Sequence, residues 1–224
     1  MLACPLPAYN SLEPFRQGGD LTPGKRVVGP LLWLILFFIL LTGCSRLPGP
    51  EQLSASLLRR MVSVKSYQLS FLLESSGQAF SVVQWYRSPD QVRTDVMQAE
   101  QPVYRFVYTK GRLLVEHMPS RQTQVLAVTE GNELFISPLL LGFCQEAAKS
   151  SWEVDPLTGL YHSSFRWQDN SSVARQGKMW VDPRTQWPTE IQLLLSTDNV
   201  VSIKVQTIVI NPPLDASLFS TGEK

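Results

Sequence analysis

From Ser66 onward the chain alternates between apolar and polar positions. Tyr67, Leu69, Phe71 and Leu73 are apolar, whereas Ser66, Gln68 and Ser70 are polar. That period of two marks a strand with one buried face. Ser75-Ser76-Gly77-Gln78 predicts a turn, and Ala79 to Arg87 a returning strand through Phe80, Val82, Val83, Trp85 and Tyr86. Ser88-Pro89-Asp90 turns the chain again. Further strands are expected over Val92–Met97, Val103–Thr109, Arg112–Met118 and Gln122–Val128, with Lys110-Gly111 and Pro119-Ser120-Arg121 between them. They resume at Trp152, Leu160–Trp167, Val173–Val181, Glu190–Leu195 and Val200–Ile210. About eleven short strands joined by short loops predict an all-β sandwich or barrel with antiparallel neighbours.

Two stretches break the alternation. Glu51, Leu53, Leu57, Leu58 and Met61 set an acid at the start of a helix and apolar groups on one face, with Arg59 and Arg60 near its end. Leu134 to Lys149 is the other, with Pro138 opening a helix through Leu139, Leu140, Phe143, Ala147 and Ala148. Ahead of both, Arg46-Leu47-Pro48-Gly49-Pro50 reads as a linker.

Upstream the pattern changes character. Pro30 to Leu41 is an uninterrupted apolar run of 12 residues. It is short for a membrane-spanning helix, which needs about 20, and fits the apolar region of a secretory signal, with Lys25 and Arg26 as the positive flank. Leu41-Thr42-Gly43-Cys44 follows and resembles the lipobox of bacterial lipoproteins. The resemblance implies cleavage between Gly43 and Cys44 and a diacylglycerol anchor, with palmitate-type chains, on the Cys44 thiol. Two acyl chains hold a protein on a bilayer where one barely does, each buried methylene contributing about 0.8 kcal/mol. Residues 1–24 carry Pro5, Pro7, Pro14 and Pro23 without periodicity, and the biological start is expected nearer Val27. The expected organisation is therefore a leader and signal over 1–43, a lipidated cysteine and linker over 44–50, and one β domain over 51–224.

Composition narrows the function. The chain has 20 Lys+Arg against 19 Asp+Glu, a net charge of +1, which argues against nucleic acid as partner. From Cys44 onward there are 17 charges of each sign, so the anchor rather than charge must hold the domain on a membrane. Two His and three Cys leave little for a zinc site. Cys144 is the one thiol of the mature domain and reads as a small buried apolar residue. His162 and Ser163 are adjacent on a strand and face opposite sides, and His117 beside Glu116 has the same geometry. Asp155, Asp169 and Asp182 read as turn formers. No catalytic residue, metal ligand or cofactor is expected, and the chain is read as no enzyme.

Three pieces together resemble the LolA/LolB-like lipoprotein-carrier superfamily. They are Gln84-Trp85-Tyr86-Arg87-Ser88-Pro89-Asp90-Gln91-Val92-Arg93, Lys110-Gly111-Arg112-Leu113-Leu114-Val115, and Trp180-Val181-Asp182-Pro183-Arg184-Thr185-Gln186-Trp187-Pro188-Thr189-Glu190-Ile191. The last is paired with a terminal Ile210-Asn211-Pro212-Pro213-Leu214-Asp215-Ala216-Ser217-Leu218-Phe219. Membrane-anchored sporulation and germination lipoproteins of endospore-forming bacteria look most similar. The resemblance implies a mainly β fold, a strongly curved antiparallel sheet forming an incomplete, half-open barrel with two or three covering helices. It also implies an envelope protein as partner, for instance a cell-wall hydrolase. The alternative is an acyl-chain or lipoprotein carrier using the concave cavity, which Phe71, Trp85, Tyr104, Phe106, Trp167 and Trp180 would line. The expected place is the extracytoplasmic face of the cell membrane, or an outer membrane in a two-membrane host, where Ser45 after the cysteine favours sorting by analogy.

Overall fold

The computed structural model describes residues 49–127, 133–168, 174–196 and 199–220. The leader, Gly43, Cys44 and Asp169 lie outside the described residues. Helix α1 (Pro50–Ser63) leads into a meander of β1 (Ser66–Ser75), β2 (Gln78–Arg87), β3 (Gln91–Gln98), β4 (Gln101–Thr109), β5 (Arg112–His117) and β6 (Gln122–Leu126). Two short helices follow, α2 (Glu133–Ile136) and α3 (Leu139–Ala147). A second meander comprises β7 (Glu153–Val154), β8 (Tyr161–Gln168), β9 (Ala174–Val181), β10 (Pro188–Ser196) and β11 (Asn199–Ile210), closed by a 3-10 turn at Ala216–Phe219.

Eleven strands make one antiparallel sheet, ordered β6-β5-β4-β3-β2-β1-β11-β10-β9-β8-β7. The result is a curved, half-open barrel that does not close on itself. Hairpins account for most of this order, and their turns are chemically specified. Ser76-Gly77 and Lys110-Gly111 both have positive φ at each position (49° and 78°; 50° and 75°), the two-residue geometry whose twist matches the flanking strands. The non-local step is β1 against β11, with Tyr67 opposite Ile210 and Ser75 opposite Val201. It joins two meanders that would otherwise be separate sheets.

Alternation then sorts the side chains. The inner face carries Tyr67, Leu69, Phe71 and Leu73, Val82, Val92 and Val96, Phe165, Met179, Ile191, Leu193 and Ile203, all buried. Leu53, Leu57 and Met61 of α1 and Leu139, Leu140, Phe143, Cys144 and Ala147 of α3 complete the same cluster. A strand face this apolar must be covered, and the helices cover it. On the outer face Asp95, Arg105 and Glu116 sit side by side on β3, β4 and β5. Arg105 pairs with Asp95 at 3.1 Å and with Glu116 at 3.2 Å, while Arg93 binds Asp95.

The closing segment crosses that outer face. Asn211, at φ 53°, takes N–H bonds from Lys65 and Ser66 on its Oδ1 (2.8 and 3.2 Å), and its amide donates to the carbonyl of Ser63 (3.2 Å). One side chain thereby locks the end of β11 to the joint between α1 and β1. Beyond it Arg87 reaches the Leu214 carbonyl at 3.4 Å and stacks over Phe219, which is buried. This is the physical content of the terminal Asn-Pro-Pro and Leu-Phe pattern.

Candidate functional site

The expected cavity is where the helices sit. Its floor holds a polar node that no alternating pattern announces: Gln84 and Thr94 are fully buried among apolar neighbours. The Tyr67 hydroxyl donates to Gln84 Oε1 at 2.6 Å, and Gln84 Nε2 donates to Thr94 Oγ1 at 3.1 Å. Thr94 Oγ1 in turn donates to the Phe135 carbonyl of α2 at 2.5 Å. The backbone N–H of Leu139 donates to Gln84 Oε1 at 3.2 Å, and that of Leu140 faces the Tyr67 oxygen. The first amides of a helix have no partner within the helix. Here the sheet supplies two of them, so α3 is held end-on against the inner face. Ser163 Oγ donates to the Ala147 carbonyl at the other end, 3.5 Å away.

Burial governs the titration of these groups. It raises the Tyr67 phenol well above its ordinary value, with the Leu140 amide opposing. It also pushes the Cys144 thiol up to about 12. Both stay protonated and inert across physiological pH. His162 faces outward, 3.9 Å from Glu153, while Ser163 faces inward. His117 Nδ1 pairs with Ser120 Oγ at 2.7 Å, and Glu116 with Arg105. Neither histidine is joined to a nucleophile and a carboxylate in the order acyl transfer requires. Among the described residues no three His, Cys, Asp or Glu side chains converge as metal ligands.

The six residues expected to line a cavity divide. Phe71, Tyr104, Phe106 and Trp167 do point to the inner face. Phe71 is sealed in the core, Phe106 stacks on Phe135 of α2 at 4.7 Å, and Trp167 meets Phe143 of α3 edge-on at 5.8 Å. Tyr104 remains 41% exposed at the rim. Trp85 and Trp180 are corrections, because they lie on the outer face. Trp85 alternates with buried Gln84 and Tyr86 and packs under Arg93 (5.1 Å), and Trp180 alternates with Met179 and Val181 under Lys178 (4.8 Å). In a strand one step of register reverses the face, and the apolar runs Val82-Val83 and Met179-Trp180-Val181 leave that step undecided in sequence.

An opening lies elsewhere among the described residues. An open cleft of about 780 Å³ is lined by Ser164, Arg166, Gln176, Lys178, Gln192 and Leu194 among others, by Glu146 in the last turn of α3 and by Lys149 just beyond it. Most of these are outward-facing positions of β8, β9 and β10. Lys149 pairs with Glu146 at 2.6 Å, which leaves Arg166 and Lys178 as its net charge. The cleft offers amide, hydroxyl and cationic donors suited to a polar partner, but no nucleophile–base pair. Nothing in the alternating pattern marked these residues beyond their being solvent-facing.

No family model matches the chain, and no curated protein matches it. Among solved structures the chain is similar to an uncharacterised conserved protein from Thermus thermophilus, with 9% identity over 77% of this chain and 94% of that one, at a TM-score of 0.49. It is similar also to a LolA superfamily protein from Nitrosomonas europaea, with 8% identity over 75% and 97%, TM-score 0.42. A third is the Mycobacterium tuberculosis lipoprotein LppX, with 10% identity over 73% and 97%, TM-score 0.42. At such identities these likenesses concern the path of the chain alone. The narrower expectation of a sporulation or germination lipoprotein has no counterpart in these three descriptions.

Proposed function

We propose that the chain is a lipid-anchored, non-catalytic binding protein on the extracytoplasmic face of a membrane, tethered through Cys44 and engaging an envelope protein with its outer surfaces. The observation that carries the reading is the plug: α1 and α3 fill the inner face with Leu53, Leu57, Leu140 and Phe143, and the Gln84 node ties α3 down. A carrier needs an empty apolar pocket. The partner is a cell-envelope protein such as a cell-wall hydrolase of sporulation or germination, as the sequence resemblance implies. Its test is photocrosslinking in intact cells from the outward positions Ser164 and Gln176, followed by membrane fractionation. One envelope protein should be recovered from the anchored chain and lost when Cys44→Ala releases the domain. Repeated recovery of none, or a Cys44→Ala chain that stays on membranes, overturns the reading.

One observation favours the carrier alternative: Tyr104 and Leu126 remain 41% and 40% exposed on the inner face of β4 and β6. Native mass spectrometry of the unlipidated domain decides it, since a carrier retains acyl chains that a plugged barrel lacks.

A further inference from the structure

Helix α1 is apolar on two sides. Its inner stripe, Leu53, Leu57 and Met61, is sealed in the core. On the opposite side Ala55, Leu58 and Val62 follow one another at spacings of three and four, which puts them on a single strip. All three are exposed, Val62 at 88%. An isolated exposed leucine needs no explanation; an apolar strip left exposed among the described residues asks what covers it.

The flanks describe the cover. Arg59 stands exposed beside the strip, and Lys65 follows the end of the helix. Arg60, which donates to the Thr185 carbonyl at 2.6 Å and lies 5.5 Å over the Trp187 ring, points to the other side of the helix, so that indole is not part of the strip. Apolar side chains bordered by cations are the composition of surfaces that lie in the headgroup layer of a bilayer. Glu51, at the other end of the helix, is the one acid on the same strip.

Chain length supplies the second argument. Five residues lie between Cys44 and Pro50, six steps along the chain with a reach of at most about 22 Å when fully extended. A helix of 14 residues is itself about 21 Å long. A lipidated Cys44 therefore keeps the start of α1 within about one helix length of the bilayer, and a helix lying flat brings the strip to the surface without stretching the tether.

We infer that the outer strip of α1, Ala55, Leu58 and Val62 with Arg59 and Lys65 beside it, is a membrane-docking face that orients the anchored domain. The inference rests on the proposed tether at Cys44 and adds a defined orientation to it. With α1 down, the sheet edge at β6 and the cleft on β8–β10 belong to the surfaces left for a partner.

A spin label on Val62→Cys tests it in the lipidated full chain, reconstituted into vesicles of phosphatidylcholine and phosphatidylglycerol. Val125→Cys on the β6 edge, 66% exposed, is the control, and buried Cys144 does not take the label. The label at 62 should collide about threefold less with a water-soluble nickel relaxant than the one at 125, and more with oxygen. Leu58→Asp in the labelled chain should abolish the difference while the domain stays attached and folded. Equal exposure of 62 and 125 in a chain whose mass confirms the lipid overturns the docking face and leaves the tether standing. A chain recovered without lipid on Cys44 overturns both. Dipolar broadening between labels at 62 shows that a second copy covers the strip, and also overturns the inference.

Discussion

Replacing Gln84 with leucine tests the node that seals the barrel. Gln84 is fully buried and its Oε1 accepts from two donors, the Tyr67 hydroxyl at 2.6 Å and the Leu139 amide at 3.2 Å. Leucine of similar size accepts neither. Each orphaned buried donor costs about 1–3 kcal/mol, and the gain from a more apolar side chain returns about 1 kcal/mol. The expected net loss is about 1–5 kcal/mol, a sizeable share of the roughly 5–15 kcal/mol by which domains are stable. Urea unfolding followed by tryptophan fluorescence measures it. The loss should be local in origin, so amide exchange over Leu139–Ala147 should accelerate more than over β1. Adding Tyr67→Phe removes the orphaned hydroxyl but strands the Leu140 amide, so the two changes should offset to within about 1 kcal/mol. An unfolding midpoint unchanged by Gln84→Leu, or amide exchange over Leu139–Ala147 no faster than over β1, refutes the account of how α3 is held.

Three further outcomes follow from other parts of the core. Gly177→Ala places a methyl inside the ring of Phe165, which is itself buried against Phe143 of α3. The expected destabilisation is about 1–3 kcal/mol, read from the thermal midpoint, and Phe165→Leu in the same chain should relieve it. Cys144, buried and with its thiol raised to about 12, should ignore iodoacetamide at pH 8 in the folded chain and react fully in urea. The Asp215 carboxylate accepts the Ser217 amide at 2.8 Å and is held below its ordinary value of 3.8 by that bond. A depressed acid stabilises the fold fully above its unfolded value and loses that contribution as pH falls through the folded one. Phe219 should therefore loosen from Arg87 only below pH 3.8, visible as a change in its ring resonances. Asp215→Asn should remove the acid transition.

Much of the architecture was written in the alternation. Eleven strands and the helix over Pro50–Ser63 follow from a period of two or of 3.6 and from turn pairs such as Lys110-Gly111, because those signals are local. The break at Pro138 likewise fell where the proline stands, dividing α2 from α3. Which strands meet was not local. The β1–β11 pairing spans the whole domain, and two edge strands of similar pattern carry no mark that they belong together. Trp85 and Trp180 went to the outer face for a related reason, since consecutive apolar residues leave the parity of a strand ambiguous until its neighbours are in place.

The chemistry divides the same way. The sequence by itself determined a balanced charge, the lipobox-like end of the apolar segment and the scarcity of histidine and cysteine, because these are properties of residue identity. Only the tertiary structure decided that the inner face is filled where α1 and α3 pack on it. Gln84 and Thr94 look like ordinary strand polars until Leu139, 55 residues away from Gln84, brings its amide to them. Whether a curved sheet encloses a pocket or a core depends on what packs against it, and that is set by helices whose placement no local pattern encodes.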